Sequence, residues 1–216
     1  MLILSLLMLL QGPAGPVPQP GWDATIARAE GVADRVFDCM DVQTKMQIKA
    51  HVADMTPELV VDQALASCQN LNAEYVAAVT GSESPISKAS GQELADKFFA
   101  SVRKVYLEKV DQFMVDPEFA ELRVKIVVMQ WRKCVVDKAT SWSRLKDEAA
   151  TIAQAALTAC RDKKQNVVQA SGYQLRSKGL SASNAGDMID KVQITMKDIA
   201  IEAIISERAK RLPARR

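Results

Sequence analysis

Four cysteines set in two matching surroundings constrain this chain more than any other feature: Cys39 with Cys68, and Cys134 with Cys160, at nearly equal spacing. A disulfide joins two helices only where their backbones run close together, so each pair defines a local hairpin. Aligning Cys39 on Cys134 and Cys68 on Cys160 places Ala64-Leu65 on Ala156-Leu157. Further along, Leu94, Asp96, Lys97, Val102 and Arg103 fall on Met188, Asp190, Lys191, Met196 and Lys197, and Val105, Leu107, Glu108 and Val110 on Ile199, Ile201, Glu202 and Ile204. Polar and apolar character match although identity is low. A period of roughly 95 residues is too long for a solenoid repeat and suits a duplicated subdomain. Four cysteines allow three connectivities, and the repeat favours the local one.

The helix punctuation is legible. Thr56-Pro57-Glu58 and Asp116-Pro117-Glu118 each read as an N-cap, a proline in the first turn and an acid facing the helix dipole. Ser90 and Glu93 make a capping-box pattern, and Asp23 is placed to cap the first helix. Gly81 and Gly91 bracket one polar linker, Gly172 and Gly179 another. The expected helices are 23–51, 57–79, 91–114, 117–141, 146–170 and 185–210, with no sustained strand alternation. The expected fold is all-α: two tandem, duplicated three-helix units at 23–115 and 116–216, packed together, each with a disulfide-stapled antiparallel hairpin.

In antiparallel helices a Cys39–Cys68 bridge sets Val32 opposite Tyr75, Val36 opposite Leu71, Val42 opposite Leu65 and Met46 opposite Val61. All four pairs are apolar and share one helix face. A Cys134–Cys160 bridge sets Val124 opposite Ala170, Val127 opposite Val167 and Trp142 opposite Ile152. Two pairs fit less well: Trp131 meets Lys163 and Lys138 meets Ala156, which a lysine stem lying over apolar surface tolerates.

Residues 1–14 read as a signal peptide, with an apolar run from Leu2 to Leu10 and small residues Gly12 and Ala14 before a cleavage point, although no basic residue precedes the run. Residues 15–22 form a proline-rich spacer. The run is shorter than the ~20 residues of a membrane span, and no other segment reaches that length, so no transmembrane span is expected. Asn70, Asn72, Asn166 and Asn184 all lack a glycosylation sequon. An exported, periplasmic or secreted location follows, since disulfides persist in oxidising compartments.

The chemistry-bearing residues point away from catalysis. Among 216 residues there is one histidine, His51, expected at the end of the first helix where its cation would suit the dipole. No Cys-x-x-Cys, zinc knuckle, Walker loop, dinucleotide fingerprint or nucleophile elbow occurs. Glu118 with Glu121, Asp147 with Glu148, and Asp187 with Asp190 are acid pairs that would serve glycoside cleavage only if they converged; on amphipathic helices they read as solvated faces. Met40, Met46, Met55, Met114, Met129, Met188 and Met196 are spread over separate helices and read as core filling. Ile126 to Met129 and Ile199 to Ile205 are apolar nearly all round, as at a packing surface between the units, a homodimer seam or an apolar groove. The basic end (Arg208, Lys210, Arg211, Arg215, Arg216) reads as a solvated tail. With 28 basic and 26 acidic residues and 5% aromatics, nothing favours a nucleic-acid partner.

The sequence therefore assigns four disulfide cysteines and no catalytic, cofactor-binding or metal-ligating residue. The expected function is a non-enzymatic binding protein of the bacterial cell envelope, with a protein or apolar ligand as partner. The alternatives are a hydrolase using carboxylates between the units and a structural homodimer.

Overall fold

A computed structural model describes residues 21–82 and 84–211. The expected leader, the spacer up to Pro20, and Arg215 and Arg216 lie outside the described residues. Every regular element among the described residues is helical: α1 Trp22–Ala50, α2 Pro57–Ser67, α3 Asn70–Val79, α4 Lys88–Met114, α5 Pro117–Trp142, α6 Ala149–Ala159, α7 Arg161–Ser177 and α8 Ala185–Ala209, with a single 3-10 turn at Ala182–Asn184. The described residues form two compact units. Unit 1 holds those up to His51 together with Met55–Asp111; unit 2 holds Val52–Asp54 and the chain from Gln112 onward.

Local chemistry sets several helix ends. Thr56 accepts the Leu59 N–H at 3.1 Å and Asp116 accepts the Phe119 N–H at 2.9 Å, each followed by proline. Two other ends differ from expectation. The first turn of α4 is capped by Ser87, whose Oγ accepts the Ser90 N–H at 3.2 Å, so the helix starts before the Ser90/Glu93 box. Asp23 lies inside the first turn of α1 without capping it; Gly21, at φ 91°, occupies the cap position.

The two expected hairpin arms are not continuous helices. The 57–79 arm breaks at Cys68 and Gln69, and the 146–170 arm breaks at Cys160 and runs on to Ser177. At both breaks the cysteine N–H is shared between the carbonyls three and four residues back, at 3.0–3.2 Å, which tightens the last turn and turns the chain out of the helix. The backbone angles are nearly the same: φ −102°, ψ 9° at Cys68 and φ −102°, ψ 23° at Cys160. Gly172 is buried inside α7, so the second linker begins at Gly179, where φ is +71°.

The disulfides join Cys39 to Cys68 and Cys134 to Cys160, both with Cα–Cα of 6.1 Å. In unit 1, α1 buries Ala29, Val32, Ala33, Val36, Met40 and Thr44. Val32, Val36, Leu71 and Tyr75 are buried as their pairing implies, whereas Val42 and Met46 are each 56% exposed. The break at Cys68 redirects α2, so the antiparallel register holds for α3 and fails beyond the bridge. Phe98 of α4 stacks on Tyr75 of α3 at 4.6 Å and meets Phe37 of α1 edge-on at 6.2 Å.

Unit 2 closes around Val127, Trp131 and Val135 of α5, Ile152 and Ala156 of α6, Val167 and Ala170 of α7, and Ala200 and Ile204 of α8. Trp131 is fully buried, so its poor pairing with Lys163 does not describe its surroundings; Lys163 is exposed. Lys138 lies over the Trp142 ring at 5.9 Å. The two apolar segments give Val127, Ala200 and Ile204 to this core but leave Met129 61% and Ile205 56% exposed. Met46, Met129 and Met188 are exposed, so core filling explains only Met40, Met55, Met114 and Met196. The C-terminal cations are not all solvated: Arg208 donates to the backbone oxygens of Ser143, Leu145 and Asp147 at 2.7–3.0 Å.

Candidate functional site

Two concavities among the described residues lie beside the helix breaks. In unit 2, α6 stops at Cys160 and α7 starts at Arg161 with no side-chain cap. The notch beside this break has a volume of about 200 Å³. Leu157 and Thr158 line it from the end of α6, Arg161 and Lys164 from the first turn of α7, with Gln154, Trp131 and Gln193 completing the wall.

Trp131 carries the least satisfied chemistry there. Its side chain is 0% exposed, and no protein group accepts its indole N–H. Leaving such a donor unmatched costs about 1–3 kcal/mol. Lys164 donates to Gln193 Oε1 at 2.5 Å and to Asp190 Oδ1 at 3.1 Å, so its ammonium is held in place at the wall. Arg161 is exposed and makes no ion pair among the described residues. Two cations in a helix's first turn oppose the macrodipole, where anions are the favoured neighbours. Asp162 stands in the same turn and Asp190 pairs with Lys164, so the wall of the notch carries charges of both signs.

Unit 1 has a notch at the corresponding place. Its volume is about 520 Å³, and Leu65, Ala66, Gln69, Asn72 and Phe99 line it. Relative to the second cysteine, both notches use the third and second residues before it and the first and fourth after it. The chemistry differs: Gln69 and Asn72 stand where unit 2 has Arg161 and Lys164, and an aromatic ring, Phe99, replaces an amide. The unit 1 notch is neutral and partly apolar.

A third cleft, of about 420 Å³, flanks the unit 2 disulfide and is lined by Gln130, Lys133, Cys134, Asp137, Lys138 and Lys163. Lys133 is paired with Asp137 at 2.6 Å. Neither disulfide leaves a free thiol among the described residues, which fits structural crosslinks.

The acid pairs considered for hydrolysis sit on exposed ground. Glu118 is exposed and Glu121 is paired with Lys125 at 2.7 Å. Asp147 offers its backbone carbonyl to Arg208, Glu148 precedes α6, and Asp190 holds Lys164. Glu121 is held below the usual carboxylate range by its bond to Lys125, and Glu207 by bonds to Arg211 and Lys210. Both stay ionised at neutral pH, the opposite of a general acid. His51 sits at the C-terminal end of α1, its N–H bonded to Gln47 O at 2.9 Å. Among the described residues no group of three metal-ligating side chains converges, and no helix is long and apolar enough to cross a membrane.

Two buried polar residues escaped the sequence reading. Arg123 of α5 is 0% exposed; it donates to Val52 O and Gln169 Oε1, each at 3.2 Å, and lies 5.5 Å from the Tyr173 ring. Burial pulls its guanidinium pKa down, while Tyr173 and Asp54 oppose the shift. Tyr106 of α4 donates to Phe37 O at 3.0 Å and to Asp41 Oδ1 at 2.5 Å. Neither shows in a pattern that treats arginine as solvated and tyrosine as core. Arg161 and Lys164 do carry a signal, cations against a helix start, but it exists only once the break at Cys160 is known.

No protein-family model, characterised protein or solved structure matches the chain.

Proposed function

We propose that this chain is an exported, non-enzymatic binding protein of the bacterial cell envelope, made of two copies of a disulfide-stapled helical unit, each holding a ligand notch at the helix break after its second cysteine. One observation carries the reading: the same four positions around Cys68 and around Cys160 line a concavity in both units, although their side chains differ. A duplication that keeps the notch while changing its lining is how one scaffold acquires two specificities. Two disulfides support an oxidising compartment. The exposed positions of the acid pairs favour binding over hydrolysis.

Native mass spectrometry of the protein isolated from the exported fraction tests this. The expected result is loss of the leader, a mass four hydrogens below the reduced chain, and a retained small molecule. Free thiols, or a bare chain together with turnover of glycosides or peptides, would overturn it.

A homodimer is the second reading. Ile194 and Ile205 of α8, 65% and 56% exposed, lie on one face about three turns apart with half-buried Ile201 between them. A doubled mass in the same spectrum that Ile194→Glu restores to the monomer favours it; a monomer at all concentrations dismisses it.

A further inference from the structure

We infer that the outer face of α5 in unit 2 pairs antiparallel with the same face of a second copy of this chain. The inference rests on the homodimer reading above and gives that dimer a different seam, since on the α8 stripe an exposed Asp198 stands between Ile194 and Ile201. α5 is apolar on two sides. One side buries Ala120, Val127, Trp131, Val135 and Ala139 in the unit 2 core. At about 100° per residue, Phe119, Leu122, Ile126 and Met129 fall on the opposite side. They recur at alternating steps of three and four, the spacing of a seam between two helices. Leu122 is 53% and Met129 61% exposed, with Phe119 and Ile126 half-buried, so the described residues leave the stripe open. Phe113, itself exposed, packs on Phe119 with ring centroids 4.3 Å apart and widens it.

Charge identifies the occupant. Glu118 and Arg132 flank the stripe, both are exposed, and neither makes an ion pair among the described residues. The charges between and beyond them are already matched on α5 itself: Glu121 with Lys125 at 2.7 Å, and Lys133 with Asp137 at 2.6 Å. An antiparallel two-fold sets Phe119 against Met129 of the second copy and Leu122 against Ile126 of the second copy, with the reciprocal pairs beside them. The same register brings Glu118 opposite Arg132 of the second copy, twice by symmetry, and opposes the two helix dipoles. The one meeting of like charges is Lys125 across the axis, at the rim, where each copy's Glu121 offsets it. A parallel pairing would instead put Lys133 against Lys133 inside the seam. A face whose unmatched acid and unmatched base answer each other through a two-fold is complementary to itself. The stripe spans about three helix turns, so the dimer belongs with small, reversible interfaces, with a Kd on the order of 10 μM.

The test is analytical ultracentrifugation of the intact, oxidised protein over a concentration series, with circular dichroism to certify that each variant keeps the parent fold. The expected result is a reversible monomer–dimer equilibrium. Met129→Glu, at an exposed position one turn from Lys125 and Lys133, sets a charge in the seam and weakens the dimer about a hundredfold. Arg132→Glu turns two attractive contacts into repulsive ones and weakens it about tenfold. Adding Glu118→Arg to Arg132→Glu restores the parent affinity to within about threefold, because the swapped charges meet again only in the antiparallel register. A dimer indifferent to Met129→Glu, or a loss in Arg132→Glu that the double variant fails to recover, overturns the inference. A dimer that survives Met129→Glu and falls apart in Ile194→Glu overturns the α5 seam and leaves the homodimer reading standing; a parent that stays monomeric at every concentration ends both.

Discussion

Replacing Tyr106 by phenylalanine removes one oxygen from the middle of unit 1 and leaves the ring in place. The ring is 1% exposed, lies 6.3 Å from Phe37 and carries the Lys109 ammonium 4.5 Å from its centroid, so packing persists in the variant. Two hydrogen bonds vanish, to Phe37 O and Asp41 Oδ1. The Phe37 carbonyl sits inside α1, where the helix supplies another donor. The Asp41 carboxylate is more than half exposed and regains water. Neither acceptor is orphaned, so the cost falls at the low end for a bond to a charged group, about 1.5 kcal/mol. With a urea slope of about 1–2 kcal/mol per molar for a unit of this size, the midpoint drops by about 1 M.

The same contact has a pH signature. Burial, then the bond to Asp41, push the Tyr106 phenol well above its ordinary range. A raised folded pKa means that the contribution is complete below the unfolded value of about 10 and fades as pH rises beyond it. There the unfolded chain has released a proton that the native protein keeps, and stability falls by about 1.4 kcal/mol per pH unit from this group. Asp41 runs the other way: the Tyr106 bond is the largest cause lowering its pKa, so its small contribution is present above pH ~4 and lost as pH falls further. Urea unfolding between pH 3 and 11 therefore shows a shallower alkaline decline in Tyr106→Phe and a smaller acid loss. A variant within about 0.3 kcal/mol of the parent at pH 7, or an unchanged alkaline slope, refutes the reasoning.

Three further outcomes are expected. In Gly91→Ala the new Cβ would stand 2.2 Å from Thr80 Cγ2, and Thr80 is pinned by its bond to Val76 O at 2.8 Å; overpacking outweighs the helix gain and thermal unfolding records a net loss of about 1 kcal/mol, whereas an equal or higher Tm contradicts the contact. Arg123→Ala strands Val52 O and Gln169 and opens a cavity, costing about 3 kcal/mol in urea unfolding, while Arg123→Met restores most of the volume and recovers more than half; equal losses in the two variants point to charge rather than packing. Removing Cys39 with Cys68, or Cys134 with Cys160, opens loops of separation 29 and 26 and lowers stability by about 3.5 kcal/mol in each case, so calorimetry of the two double-alanine variants finds near-equal losses.

Features decided by near neighbours were open to reading. The caps at Thr56 and Asp116 depend on three or four consecutive residues, and both form as written. The burial of Val32 and Val36 against Leu71 and Tyr75 follows from helical period, as does that of Val127 with Val167. The breaks at Cys68 and Cys160 were hidden because no proline or glycine marks them; Gly172, which looks like a stop, is helix interior instead. Once the arm bends, Val42 and Met46 lose their partners and turn to solvent. Arg123 was hidden for another reason: a buried guanidinium needs acceptors from distant segments, and Val52 and Gln169 lie far from it in the chain.

Sequence alone determined a helical chain, its strongest caps and the faces that seek a core, because helix period and capping act over a few residues. Tertiary structure alone decided where the chain leaves the helix after each second cysteine, and hence that Trp131, Arg161 and Lys164 share one notch. That choice balances a crosslink, a core and a turn contributed by segments far apart in the chain, a balance no local window contains.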